Sequence, residues 1–261
     1  MFLYGKPLAQ KIISDLKDQK LPSGSLAAIQ LGDDPTSSLY VTKKAQLAKE
    51  LGINFRLIKL EYNTSFSDLK NTLEKLNKDV SVHAILLQIP LPDHLDRNAV
   101  AGLIEHNKDI DGFGYIIGKN QKPIPPTVSA IMDLLSFYKV RLNRKKVLII
   151  GGGFLVGKPL YRYLLEKRVQ VELLQRDDPD YFKKVKSADI VVTATGGGAR
   201  FSYSHFKTAS TVIDASTVCE NGSTRGDIDV ESWGPDKNLA PVPGGVGPVT
   251  VAELFGNFPK L

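Results

Sequence analysis

Apolar stripes at helical spacing alternate with short apolar runs along the whole chain. Leu8, Ile12 and Leu16 fall four apart, which predicts a helix over 6–19. Ser25–Leu31, SLAAIQL, is an apolar run ended by Gly32-Asp33-Asp34-Pro35, a strand followed by a turn. Ser37 or Ser38 then caps a helix reaching about Leu51, where Gly52 stops it. A strand at Phe55–Leu60, a helix from Ser65 or Ser67 to about Asn77 and a strand at His83–Gln88 follow, the last ended by Pro90 and Pro92. Beyond a glycine- and proline-rich stretch, Ile131, Leu134 and Leu135 mark the apolar face of a helix at Val128–Tyr138. The pattern then restarts: strand Lys146–Ile150, glycine turn, helix to Lys167, strand Val169–Leu174, and strands at Ile190–Ala194 and Thr211–Ala215. Strand–helix alternation of this kind predicts an α/β chain with mostly parallel sheets and covering helices. The restart near residue 140 separates a first domain, 1–139, from a second, 140–248.

Composition narrows the class. A chain of 261 residues can bury two ordinary cores, and 42% apolar with 24% charged residues is the balance of a globular protein. No apolar run approaches the ~20 residues of a membrane span. Lys6, Lys11, Asp15 and Lys17 interrupt the amino-terminal stretch, so neither a membrane nor a secretory signal is expected. The single cysteine, Cys219, excludes an internal disulfide and any multi-cysteine metal site, which points to a reducing, cytoplasmic setting without a structural metal. The net charge of +6 is spread thinly, with only Arg144-Lys145-Lys146 and Lys183-Lys184 clustered and no aromatic residues interleaved. A nucleic-acid partner is therefore not expected, whereas anionic small molecules suit such a surface.

Two constellations carry chemistry. VLIIGGGFLVG at 147–157 sets Gly151, Gly152, Gly153 and Gly157 between a strand and a helix. Glycines there allow a tight turn and bring backbone amides close to a pyrophosphate at the helix N-terminus. The pattern is one residue longer than the usual dinucleotide fingerprint, so its strand–turn–helix context carries the weight; a tight turn without ligand is the bland alternative. After the next strand, Arg176 can pair with the 2′-phosphate of NADP, while Asp177 can instead bind the ribose of NAD, or the segment is a plain exposed turn. NADP is favoured and NAD kept as the alternative. The second constellation begins with Tyr40 and Lys44, four apart on one helix face, a pair that alone reads as ordinary helix surface. Gln88 ends a buried-looking strand, where polar side chains face ligand clefts. In KDIDGF, Asp109 reads as the turn residue and Asp111 as the ligand contact.

DPTSSLYVTKKAQLAKELGI, LLQIPLP, NKDIDGF and APVPGGVGPVT resemble, in order and spacing, four signature segments of the bifunctional methylenetetrahydrofolate dehydrogenase/cyclohydrolase family. With GKPLAQKI and GGGFLVGKP the resemblance covers nearly the whole chain. It implies a folate-binding catalytic domain, to which 249–261 returns, a Rossmann-type NAD(P) domain, a cleft between them and a homodimer. It also implies roles. Lys44 corresponds to the catalytic lysine, Gln88 to the glutamine that orients it, Tyr40 to the ring stacked on the aminobenzoate and Asp111 to the pterin-binding acid. Gly244, Gly245 and Pro248 correspond to the loop over folate and nicotinamide, while Thr217, inside a segment that departs from the family, can still offer backbone groups near the nicotinamide. The nucleotide half departs from the family: relatives usually carry serine where Gly153 stands, arginine where Gly152 stands, and Val-Gly-Ile-Asn where Ala215–Val218 stands. A mainly hydrolytic enzyme, or a folate or nucleotide sensor without turnover, are the alternatives this leaves.

Overall fold

A computed structural model describes residues 1–261 except Arg176, Pro179, Gly198, Ala199, Thr208, Ala209, Asn221 and Gly222, with backbone alone at Thr36, Cys219, Glu220 and Ser223. The chain forms two compact units: Met1–Lys11 with Thr127–Glu253, and Ile12–Pro126 with Leu254–Leu261. Helix α1 (Lys6–Lys17) begins in the former and ends in the latter.

The unit built on residues 12–126 follows the predicted alternation closely. It contains β1 (Ser25–Leu31), α2 (Pro35–Glu50), β2 (Asn54–Leu60), α3 (Phe66–Lys78) and β3 (Val82–Leu87), then the short helices α4 (Arg97–Ala101) and α5 (Phe113–Ile116). The strands form a parallel sheet in the order β2-β1-β3. Every residue of central β1 is buried, as a parallel strand covered on both faces requires. Leu69, Leu73 and Leu76 supply the buried stripe of α3. The cap of α2 differs from the sequence expectation: it is Asp34, whose carboxylate accepts from Ser37 N at 2.7 Å. Pro35 fits the first helical position because the amide it lacks has no helical partner there, so the helix starts three or four residues earlier.

Helix α6 (Pro126–Phe137) leads into the other unit, where β4 (Val147–Ile150), α7 (Gly157–Glu166), β5 (Val171–Leu174), α8 (Tyr181–Ser187), β6 (Ile190–Thr193) and β7 (Thr211–Asp214) continue the alternation. A short antiparallel pair, β8 (Val218–Glu220) and β9 (Ser223–Arg225), precedes β10 (Asn238–Ala240) and α9 (Val246–Asn257). The main sheet is parallel in the order β10-β7-β6-β4-β5. From β4 the chain first moves to one side, to β5, then crosses to the other, to β6. That reversal beside β4 is a topological switch point, and ligands of such sheets bind outside the carboxyl ends of the strands there. Leu148, Ile150, Val191, Val212 and Leu239 join Leu174, Val185 and Phe201 in its core. The amino terminus extends this sheet, with Leu3 N donating to Leu239 O at 2.7 Å. Val246–Pro248, expected as loop, form the first turn of α9, where proline is tolerated. Among the described residues no helix is long and apolar enough to cross a membrane.

Candidate active site

In the unit with the β2-β1-β3 sheet, three of the expected residues come together. Gln88 follows β3, its own amide donating to Ile29 O at 2.8 Å and so prolonging the pairing with β1. Its side chain is held at both ends: Nε2 donates to Ile89 O at 2.7 Å, and Oε1 accepts from Lys44 Nζ at 3.0 Å. The amide orientation is thus fixed by two partners, and it presents an acceptor to the lysine. Asp111 reaches the same strand end from a different direction. Asp109 bridges in parallel to Ile85, so the 109–111 segment runs beside β3, and Leu87 N lies 3.4 Å from Asp111 Oδ2.

The two acids of this segment have separate duties. Asp109 is 1% exposed and accepts from Phe113 N at 3.0 Å and Gly114 N at 2.7 Å, holding the start of α5. Gly112, between Asp111 and Phe113, has φ +70°, and a Cβ there would meet Pro123 O at 2.6 Å. Only glycine fits that position, which turns the chain so that Asp111 faces β3 rather than the helix.

Lys44 and Asp111 are only half-buried as whole residues, but burial of their charged ends dominates their acidity. The Lys44 ammonium is pushed below the usual lysine value by burial, and the charge of Asp111 opposes this. Asp111 is pushed up to about 6 by burial, with Lys44 opposing and Asp109 adding. A lysine that gives up its proton more readily beside a carboxyl group that keeps its own longer is a pair suited to proton transfer. Tyr40 is half-buried one turn before Lys44 on α2, with Lys43 Nζ 5.7 Å from its ring centre. Among the described residues no group of three or more His, Cys, Asp or Glu is placed to hold a metal.

The remaining expected residues belong to the other unit. Gly151 follows β4 at φ +97°, where a Cβ would meet Ala194 O at 2.5 Å, and a Cβ on Gly157 would meet Gly151 O at 1.8 Å. These two glycines let the turn fold back on itself under the start of α7. Gly152 and Gly153 have a different setting: among the described residues a Cβ on Gly153 would have only Ala194 O for a neighbour, at 3.8 Å, so its open side admits an incoming group. Gly152 faces Gln175 Nε2, which a Cβ would approach to 2.9 Å. Val156 provides no side-chain cap to α7. Of the first-turn amides, Lys158 N donates to Gly153 O at 3.2 Å and Pro159 carries no N–H, so it is the open side of Gly153 at the switch point that fits a nucleotide pyrophosphate. Thr217 is exposed in the turn after β7, and Arg176 lies outside the described residues. Gly244 has φ +105°, Gly245 N donates to Pro241 O at 2.7 Å, Gly244 O accepts from Gly5 N at 2.8 Å, and Pro248 is exposed on α9. Asp214, not among the expected residues, stands at the carboxyl end of a parallel strand, and that position was the available signal.

The pattern of dispersed motifs has a match at the level of whole domains. Residues 3–111 match the model of the tetrahydrofolate dehydrogenase/cyclohydrolase catalytic domain, and residues 125–261 that family's NAD(P)-binding domain. The chain belongs to the tetrahydrofolate dehydrogenase/cyclohydrolase family. It is 34% identical over 265 residues to bifunctional protein FolD 2 of Lactobacillus johnsonii, covering 97% of this chain and 94% of that one. Among solved structures of the family, the bifunctional FolD of Campylobacter jejuni superposes with a TM-score of 0.91 at 32% identity, covering 100% of this chain and 97% of that one. The Trypanosoma brucei FolD, solved with NADP cofactor and an inhibitor, gives a TM-score of 0.87 at 27% identity, covering 99% and 95%.

Proposed function

We propose that this chain oxidises 5,10-methylenetetrahydrofolate to 5,10-methenyltetrahydrofolate with NADP and hydrolyses the methenyl product to 10-formyltetrahydrofolate, as a cytoplasmic homodimer. The observation that carries the reading is the 3.0 Å contact of Lys44 Nζ with Gln88 Oε1 beside Asp111, in a chain of this family. NADP, when bound, supplies the hydride acceptor. For oxidation the protein's task is positioning, since no side chain needs to take a proton. Tyr40 stacks on the aminobenzoate portion of folate, Asp111 bonds the pterin, and Gly244, Gly245 and Pro248 fold over the ligands. Gly151, Gly152, Gly153 and Gly157 seat the pyrophosphate, with Arg176 and Thr217 contributing to the nucleotide's two ends.

Hydrolysis places a proton demand on Lys44. Burial already favours its neutral form, and a cationic methenyl substrate favours it further. Gln88 Oε1 accepts one amine N–H, which leaves the nitrogen lone pair aimed elsewhere. Neutral Lys44 takes a proton from the attacking water and returns it to the ring nitrogen that leaves when the five-membered ring opens, while the hydroxyl of the adduct becomes the formyl carbonyl and releases its proton to solvent, the one net proton of the reaction.

The test is to supply methylenetetrahydrofolate with NADP or NAD, and methenyltetrahydrofolate with neither, following reduction and hydrolysis separately. Both activities are expected, with NADP preferred. Hydrolysis without reduction by either nucleotide would leave a cyclohydrolase alone, and binding without turnover would leave a sensor.

The pair also sets a pH dependence. A base must be neutral, so hydrolysis is lost as pH falls through the pKa of Lys44. The charge of Asp111 raises that pKa. Asp111→Asn removes the charge and leaves burial unopposed, so the acidic limb of the kcat profile is expected to move to lower pH. Below about 6, where Asp111 itself takes up a proton, the two profiles should converge. An acidic limb that stays in place would show that Asp111 does not act on Lys44.

A further inference from the structure

In the unit with the β10-β7-β6-β4-β5 sheet, a buried acid that the proposed chemistry does not use sits at the carboxyl end of β7. Asp214 is fully buried. Its Oδ1 accepts from Ser216 N at 3.1 Å and from Thr193 Oγ1 at 3.2 Å, and its Oδ2 accepts from Ile228 N at 2.9 Å. One carboxylate thereby ties three segments: the end of β6, the turn after β7, and the strand-like segment that bridges Phe201 to Ile228. The fit leaves no slack, because a Cβ on Gly226 would meet Asp214 Oδ2 at 2.0 Å.

The ties continue outward. Ser216 Oγ accepts from Gly197 N at 2.8 Å, joining the turn after β7 to the loop after β6. Gly197 has φ +81° and lies so close under Val218 that a Cβ would meet Val218 Cγ2 at 2.1 Å. A second buried acid, Asp227, accepts from Thr195 N at 3.1 Å and Thr195 Oγ1 at 2.7 Å, on that same loop. At its near end the loop touches the glycine turn, where Gly151 sits against Ala194 O. The loops after β4, β6 and β7 are thus one connected group at the carboxyl edge of the sheet, where the fold binds dinucleotides.

We propose that Asp214, acting through Ser216, is a positioning residue for the nucleotide: it holds the loops after β6 and β7 in the shape that receives NADP. The inference rests on the functional reading above. Burial and the neighbouring charge of Asp227 push Asp214 up to about 6, and amide donors oppose them, so near neutral pH it is chiefly the carboxylate this arrangement needs. In an asparagine both terminal positions would face a backbone N–H, so the amide group must lose one of the two ties whichever way it turns.

The experiment compares Asp214→Asn and Ser216→Ala with wild type, and with Asp229→Asn as a control that removes an exposed charge two residues beyond Asp227. Three quantities are read: the affinity for NADP by calorimetry, the KM for NADP in methylenetetrahydrofolate oxidation, and the turnover of methenyltetrahydrofolate hydrolysis without nucleotide. Asp214→Asn should weaken NADP binding and raise its KM by roughly tenfold to a hundredfold, the loss of a hydrogen bond to a charged acceptor. Ser216→Ala should raise KM by roughly threefold to tenfold. Hydrolysis should be unchanged in both, a separation that general loss of structure would not give. If Asp214→Asn does not fold, Ser216→Ala decides on the same readouts. Unchanged NADP affinity and KM, or parallel loss of hydrolysis, would overturn the positioning role while wild type still reduces NADP. Wild-type protein that binds no nucleotide would overturn both this role and the functional reading.

Discussion

Lys44→Met is expected to lower the turnover of methenyltetrahydrofolate hydrolysis by roughly 10²–10⁴-fold, the usual worth of a positioned acid–base group, while NADP binding stays measurable. Methionine keeps an unbranched, flexible side chain in the space and removes only the amine. Stability should change far less than turnover. The variant leaves Gln88 Oε1 without its 3.0 Å donor, which costs about 1–3 kcal/mol, but it also ends the expense of burying an ammonium group. Lys44→Arg separates charge from proton transfer. A guanidinium keeps the positive partner for Asp111 but cannot be deprotonated in a protein, so hydrolysis should be lost here too. Steady-state hydrolysis assays on both variants, with circular dichroism to verify folding, decide the matter. Wild-type turnover in either variant would remove Lys44 from the chemistry.

Much of the scaffold was legible because it depends on local pattern. Strand β1 occupies the span its apolar run announces, and Ser65 caps α3 through Asp68 N at 3.1 Å. Boundaries slipped where a side chain reached back unexpectedly. Asp34 captured the amide of Ser37, so neither serine caps α2. Elements were missed where composition masks them. Helix α9 begins in a Gly-Val-Gly-Pro stretch that reads as loop, and β10 is a three-residue strand that exists through its pairing with β7 and the amino terminus.

The site divides in the same way. Lys44 and Tyr40 share a helix face by simple periodicity, but their meeting with Gln88 and Asp111 depends on parallel pairing between distant segments. That pairing is invisible until β3 has neighbours on both sides: β1, and the 109–111 segment through Asp109. Only the family resemblance named these residues together beforehand. Asp214 shows the limit of single-residue reading. Its contacts with Thr193 and Ile228 span 21 and 14 residues of sequence, so nothing local marks it as a hub.

The glycine turn supplies the second large effect, because its glycines do unlike jobs. Gly157→Ala is expected to destabilise the unit by about 3 kcal/mol or more, since the new methyl group would lie 1.8 Å from Gly151 O and 3.2 Å from Gly152 Cα. Both neighbours are backbone in a tight turn, so neither can rotate away as a side chain would. Relief requires α7 to draw back from β4, which dismantles the turn and the helix N-terminus together. Thermal unfolding should show a midpoint lower by roughly 6–12 °C, and NADP binding should be lost with it. Gly153→Ala is the informative contrast. Its methyl group would have Ala194 O at 3.8 Å as its nearest neighbour, an ordinary contact, so the unfolding midpoint should stay at the wild-type value. Its open side is nevertheless where a pyrophosphate would approach the backbone, and a methyl group there should weaken NADP without touching the fold. Undiminished NADP affinity in Gly153→Ala would mean that the phosphates sit elsewhere along the sheet edge. A wild-type midpoint in Gly157→Ala would mean that the turn relaxes at little cost, and that its glycines serve the ligand rather than the packing.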